Sequence, residues 1–305
     1  MPRRLVTILG PTAVGKTIFA VKLADAFDGE IISADSRQVY KRMDIGTGKD
    51  VSDYSINGKT ISSHLIDLIE PADEYNLFSF VKDFNQTFED ISKRNKLPFL
   101  VGGTGMYLNA VLNKYELKKA DFHPKRKEEL EKLSDKELRK IFLSYEPNPH
   151  DTTDVLYRKR MIASVLIHES PEHANLTIAE NFNSLVIGVM EDRSEIKKRI
   201  TARLKKRLKE GMIEEVKRLL DEGVPAERLK RFGLEYRFVT EHLSGELNYN
   251  DMYQKLNSAI HKFAKRQMTW FRKMEREGIE INWMKNDEIR KAEKLIDVFL
   301  NKKDE

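Results

Sequence analysis

Residues 10–17 read GPTAVGKT, a complete G-x-x-x-x-G-K-[ST] pattern, and the chemistry it offers is anion binding. Gly10 and Gly15 let the backbone of Pro11, Thr12, Ala13 and Val14 wrap around phosphate oxygens with its N–H groups turned inward. Lys16 adds a point charge, Thr17 a hydroxyl for Mg2+, and a helix starting there aims its positive end at the anion. The pattern specifies a phosphorylated ligand without saying which one. A nucleotide-hydrolysing site would also need an apolar strand ending in paired acids, one of them to activate water. HLIDLIEP (64–71) supplies Asp67 without an adjacent acid. Asp35 instead stands in the polar cluster ADSRQVY (34–40). A carboxylate there can accept a proton from an incoming nucleophile, and it suits a helix N-cap equally well. A third loop, VGGTGMYL (101–108), combines three glycines for close backbone approach with the hydroxyl of Thr104.

These residues can act together only if the elements before them converge. RLVTIL (4–9) is a short apolar run leading into the glycine-rich turn, and IFAVKLADAF after it has helical spacing. EIISAD (30–35), ISSHLIDLI (61–69) and LPFLV (97–101) read as further strands, and 77–94 carries apolar residues at helical intervals. Such alternation predicts the α/β class, a doubly wound parallel sheet whose ligand crevice lies at the carboxyl ends of its strands. From 114 to 183 no strand is convincing, whereas Leu130, Leu133, Leu138, Ile141, Phe142 and Tyr145 recur at helical spacing. We read this stretch as a helical insertion domain within a core of 1–113 and 184–305. SLVIGVM (184–190) returns to the core as a strand, three or four long additional C-terminal helices follow, and 279–284 is one more strand.

No apolar run approaches the roughly 18–20 residues of a membrane span, so no membrane partner is expected. Zero cysteines exclude disulfides, zinc–thiolate sites and thiol nucleophiles; a cytoplasmic protein is expected. The net charge of +5 is mild, but the basic residues cluster. In 197–209, KKRITARLKKRLK, no acid interrupts the lysines and arginines. Ile196, Ile200, Leu204 and Leu208 form one i,i+4 stripe there, with Arg199, Arg203 and Arg207 on the adjacent one. Spacing alone makes the basic stripe a solvated face, and Arg207 is read that way. In 260–274, Ile260, Phe263, Ala264, Met268 and Phe271 form a core face. Lys265, Arg266 and Arg272 lie opposite, as a solvated face or as phosphate contacts that position RNA without reading its bases.

Four segments together resemble the tRNA dimethylallyltransferase (tRNA isopentenyltransferase) family of bacterial type: GPTAVGKT, DSRQVYKRMDIGTGK (35–49), HLIDLIEP with its downstream FSF, and LPFLVGGTGMYL. The second is the discriminating one, and FGLEYR (232–237) and AKRQMTWFRK (264–273) extend the likeness to most of the chain. The resemblance implies a P-loop NTPase-like fold in which the loop holds the diphosphate of dimethylallyl diphosphate, with Mg2+ as cofactor near Thr17. The five-carbon group would pass to the exocyclic amine of the adenosine 3′ of the anticodon, in tRNAs reading codons that begin with U. On this reading Asp35 takes the amine proton, Thr104 stands beside the reacting groups, and Arg203, in R-I-x-x-R, faces the diphosphate. Ser36, Arg37 and Gln38 would lie nearest the nucleotide. Basic candidates for the tRNA anticodon stem-loop are Arg126, Arg158, Lys159 and Arg160 in the insertion, with Lys230, Arg231, Lys265, Arg266 and Arg272 beyond it. The flipped adenine needs an apolar or aromatic lining, and the sequence does not choose among Tyr40, Tyr107 and Met106. One departure is Ile162, where many relatives carry arginine; Arg160 could supply that contact instead. A monomer is expected.

Two alternatives share parts of this pattern. A small-molecule kinase would use the same loop with Asp35 as base, but it leaves the basic C-terminal helices unexplained. An adenylate isopentenyltransferase would share the chemistry on a free nucleotide, and needs neither insertion nor basic helices.

Overall fold

The computed structural model describes residues 3–118, 124–147, 158–170, 175–178 and 182–302. In chain order the first elements are β1 (Arg3–Leu9), α1 (Lys16–Ala26), β2 (Gly29–Ala34), a hairpin of β3 (Ser55–Ile56) and β4 (Lys59–Thr60), and β5 (Ser63–His64). Then come α2 (Leu77–Lys93), β6 (Leu97–Gly102) and α3 (Gly105–Leu112). A separate compact unit, 115–179, holds β7 (Leu117–Lys118), α4 (Pro124–Lys132), α5 (Asp135–Tyr145), α6 (Arg158–Glu169) and β8 (Asn175–Leu176). The chain returns through β9 (Phe182–Met190), α7 (Arg193–Lys209), α8 (Met212–Asp221), α9 (Ala226–Phe232), α10 (Leu234–Leu243), α11 (Tyr249–Arg276), β10 (Asn282–Lys285) and α12 (Ile289–Asn301).

Six strands pair in the order β10-β9-β1-β6-β2-β5, every pairing parallel. This is the parallel α/β sheet expected from the alternation of strands and helices. Its central strands are apolar on both faces because helices cover both: in β1, Leu5, Val6, Ile8 and Leu9 are wholly buried. α1 buries Phe19, Ala20, Val21, Leu23 and Ala24, and the core around it also takes in Ala292 and Ile296 of α12. A second core gathers Ile200 and Leu204 of α7, Val216 and Leu219 of α8, Tyr236 of α10 and Leu256 of α11.

The structure departs from the sequence reading at three places. The run 61–69 forms a strand only at Ser63–His64, with a single further bridge from Ile69 to Tyr40, because Leu65 and Asp67 take φ of 60° and 54° and break the extended backbone. The stretch 114–183 does hold a strand pair, β7 with β8, of two residues each and too short to leave an alternation in the sequence. After β9 the described residues hold the expected long helices, α7, α11 and α12, and in addition three shorter ones, α8, α9 and α10, that the sequence reading did not separate.

The unit 115–179 packs α4, α5 and α6 around Leu130, Leu138, Phe142, Met161, Val165 and Leu166. Ser134 and Glu137 form a reciprocal capping box that starts α5. Ile162 lies in this core at 5% exposure, so its position presents an apolar group inward where an arginine would have to reach solvent.

Candidate active site

The strand order sets the site. β1, β6 and β2 are adjacent, and each is followed at its carboxyl end by one of the three polar loops. Residues of all three line one cleft of about 640 Å³, together with the 46–54 segment, α7 and α11. Lys16, Thr17, Asp35, Thr104 and Arg203 all reach it.

The first loop is fixed by its glycines and by distant partners. A Cβ on Gly10 would stand 2.3 Å from the Val189 carbonyl, so β9 approaches too closely for any side chain. Gly15, at φ 86°, opens α1 in the left-handed region. Asn286 donates to the Val14 carbonyl at 3.1 Å. Lys16 Nζ donates to the Pro11 carbonyl at 2.7 Å, and Arg203 reaches across from α7 to the Thr12 hydroxyl. Burial and the neighbouring Arg203 charge pull the Lys16 ammonium down to about 8 from its usual 10.5, with Asp35 opposing. Burial and then Arg207 lower Arg203 to about 10, against the pull of Glu235, Asp50 and Asp35. Cations crowded in this way favour a polyanion among them.

Asp35 does not cap a helix. The chain turns after β2, and the carboxylate accepts the Arg37 backbone N–H at 3.0 Å while lining the cleft. Thr104 joins two loops: its hydroxyl oxygen accepts the Ser36 N–H at 3.1 Å, and its own N–H donates to the Ala34 carbonyl at 3.2 Å. Gln38 turns inward to Ser33 (3.1 Å) and to the Gly48 carbonyl (3.3 Å). Arg37 lies 3.8 Å from Glu235 and passes so close over Gly233 that a Cβ there would meet its guanidinium. Tyr54 also lines the cleft; burial, with Asp35, Asp53 and Asp50 behind it, holds its phenol protonated far above the ordinary range.

Arg207 corrects the reading from spacing. It is 7% exposed, not solvated, because the segment 46–50 folds over it: Gly48 leaves room for its guanidinium, and Asp50 lies 3.9 Å away. Phe263 is likewise no core residue. It faces the cleft, with the Arg37 and Arg266 guanidinium groups over its ring at 5.9 and 5.8 Å. Of the three aromatic or apolar candidates, Tyr40 and Tyr107 are buried against Phe232 and Phe80, whereas Met106 is exposed in the cleft wall beside Trp270.

Three participants were missed from the sequence. Trp270 is one. Glu215 is another: its buried carboxylate accepts the backbone N–H groups of Asp44 (2.8 Å), Ile45 (2.8 Å) and Gly46 (3.0 Å) and the Tyr236 hydroxyl (2.7 Å). That anchor explains the segment MDIGTGK, since Gly46 must be bare to pass the Tyr236 ring. Gln267 is the third. The available signal was a polar residue at a core position: Glu215 falls among Met212, Val216 and Leu219, and Gln267 between Ala264 and Phe271.

The basic residues proposed for RNA fall into two groups. Lys265, Arg266, Arg272, Arg231, Lys159 and Arg160 are exposed. Arg126 is committed to Glu169 and Glu129, Arg158 to Asp135 and the last carbonyls of α4, and Lys230 to Glu246 at 2.7 Å.

Comparison with known proteins gives one consistent result. A family model described as "IPP transferase" matches residues 38–274, and one described as "Isopentenyl transferase" matches 3–59. The chain is 50% identical over 286 residues to tRNA dimethylallyltransferase 2 of Syntrophotalea carbinolica, covering 93% of this chain and 95% of that one. It is 48% identical over 287 residues to tRNA dimethylallyltransferase 1 of Geotalea uraniireducens, covering 94% of each. The crystal structure of the full-length tRNA isopentenylpyrophosphate transferase from Bacillus halodurans is similar at a TM-score of 0.71 and 29% identity, over 97% of this chain and 96% of that one.

Proposed function

The chain belongs to the tRNA dimethylallyltransferase family, and from that premise we propose that its cleft moves a dimethylallyl group from dimethylallyl diphosphate to the exocyclic amine of the adenosine 3′ of the anticodon. The observation that carries this reading is the meeting of Asp35, Thr104 and the Lys16 loop in one cleft, beneath cations of α7. As the allylic carbon–oxygen bond breaks, its electron pair leaves with the diphosphate, and Lys16, Arg203 and the loop amides meet that charge where it grows. The adenine amine forms the new carbon–nitrogen bond and passes its proton to Asp35. Thr104 fixes the turn carrying Asp35 and Ser36. Met106, Trp270 and Phe263 offer the apolar and aromatic lining that a flipped base requires.

Among the described residues no three acidic or histidine side chains form a metal-binding group. A divalent cation here would therefore rest on the Thr17 hydroxyl and diphosphate oxygens, the water-retaining oxygen set that Mg2+ prefers, and would supply charge neutralisation of the leaving group. We assign the exposed bases Lys265, Arg266, Arg272, Arg231, Lys159 and Arg160 to backbone contacts with the anticodon stem-loop, in tRNAs reading codons that begin with U. The relatives named above favour this reading over a small-molecule kinase or an adenylate isopentenyltransferase.

The test incubates the protein with dimethylallyl diphosphate, Mg2+ and unmodified tRNA, followed by mass spectrometry of the digested RNA. A five-carbon addition on adenosine is expected. Addition to free AMP in its place would sink the tRNA reading. In Asp35→Ala turnover should fall by about 10²–10⁴-fold while RNA affinity survives; in Arg203→Ala the loss should lie mainly in use of the diphosphate.

A further inference from the structure

Gln267 takes no part in the chemistry above, yet it is the buried polar side chain that α11 sets into the cleft wall. It is 6% exposed. Its Oε1 accepts the Thr12 backbone N–H at 2.8 Å, and its Nε2 donates to the Gly103 carbonyl at 2.9 Å. One planar amide thus closes the gap between the turn that cups an anion and the turn whose next residue is Thr104. The place demands an acceptor and a donor on a single side chain of this length; asparagine has the groups but lacks the reach, and glutamate has the reach but no donor. Gly103 is part of the fit, since a Cβ there would stand 2.4 Å from the Gln267 Nε2.

We infer that Gln267 is a positioning residue for the transfer: it sets the spacing between the diphosphate loop and the Thr104 loop, so that the departing oxygen and the incoming amine meet the same carbon. The inference rests on the transfer reading above. It assigns Gln267, despite its place in a basic stretch flanked by exposed Arg266 and Trp270, to the diphosphate side and not to RNA contact.

The experiment compares the full-length protein with Gln267→Glu, Gln267→Met and Gly103→Ala, using dimethylallyl diphosphate and unmodified tRNA. Glutamate keeps the acceptor for Thr12 but sets an anion against the Gly103 carbonyl; methionine removes both bonds at similar volume. Each variant should lose up to about 100-fold in kcat/KM for the diphosphate, as displaced reacting groups do, with tRNA Kd unchanged within about twofold. In Gln267→Met/Gly103→Ala the loss should be smaller than the product of the single losses, because both changes break one bond. Wild-type kcat/KM in Gln267→Met would overturn the inference. So would a tRNA Kd that worsens as much as kcat/KM falls, which would make the residue an RNA contact, or a loss that disappears on cooling, which would make it a stability residue only. Should the wild type transfer no group at all, the function reading fails by itself; binding of inorganic diphosphate, expected to weaken in Gln267→Met and overturning the clasp if it does not, still decides the inference.

Discussion

At the scale of single residues, the cleft is governed by charges brought closer than water would allow. Lys16 is the sharpest case, because burial and Arg203 hold its ammonium at about 8. A diphosphate seated against it favours the charged form and raises that value again. The sign follows: below about 8 the free site is already charged and binding exchanges no proton, whereas above it binding must take one up. KM for the diphosphate should therefore be flat up to about pH 8 and climb roughly tenfold per unit beyond. A KM–pH profile checks this, with Lys16→Arg as the control whose charge persists and whose break disappears. A profile that stays flat well above pH 8 would show that Lys16 does not set affinity. Arg207 carries the same lesson without a titration: a guanidinium beside Gly48 and Asp50 has left the solvated stripe it belongs to by spacing.

At the scale of elements, the cleft wall formed by 46–50 is held from behind by α8 and α10. Glu215 meets four donors with two oxygens. A carboxamide has one acceptor oxygen, so Glu215→Gln must turn an N–H toward either Asp44 and Ile45 or Gly46. Each buried donor left unpaired costs about 1–3 kcal/mol. Glu215→Gln should lower the melting temperature by several degrees, roughly 2–4 °C per kcal/mol for a chain of this class, and raise KM for both substrates as the wall loosens. Tyr236→Phe, which removes one donor and leaves the three amides paired, should cost less than Glu215→Gln. An isosteric glutamine variant as stable and active as the wild type would show that the segment holds itself. The resemblance singled out this segment; the physical reason for its glycines lies in a helix about 170 residues later in the chain.

At the scale of the whole molecule, exposed positive charge is expected to act through phosphates and hence through salt. Lys265 and Arg272 are exposed on α11 and Arg231 at the end of α9. Changing Lys265 and Arg272 to glutamine should weaken tRNA binding uniformly across sequences. It should also flatten the plot of log affinity against log salt, by about one unit of slope for each phosphate no longer neutralised. Arg126→Gln should leave that slope unchanged and act on the stability of the unit 115–179, because its guanidinium already serves Glu169 and Glu129. The reverse outcome would move the RNA contact to Arg126.

The sequence by itself determined the sheet class, because apolar runs and helical spacing are local, and it singled out the first loop, because glycine and lysine at these fixed intervals are the pattern of phosphate binding; the other two loops stood out only as polar clusters at strand ends. It also supplied Asp35, Thr104 and Arg203, the last through family likeness rather than spacing. What only the tertiary structure decided was whatever depends on contacts between distant segments: that β1, β6 and β2 are neighbours and so unite the loops, that Arg207 and Phe263 face a cleft, and that Tyr40 and Tyr107 do not. Glu215 and Gln267 belong there too, since the meaning of a buried polar side chain is its partner: the backbone amides that Glu215 accepts lie 169–171 residues away and the Gln267 partners 164 and 255.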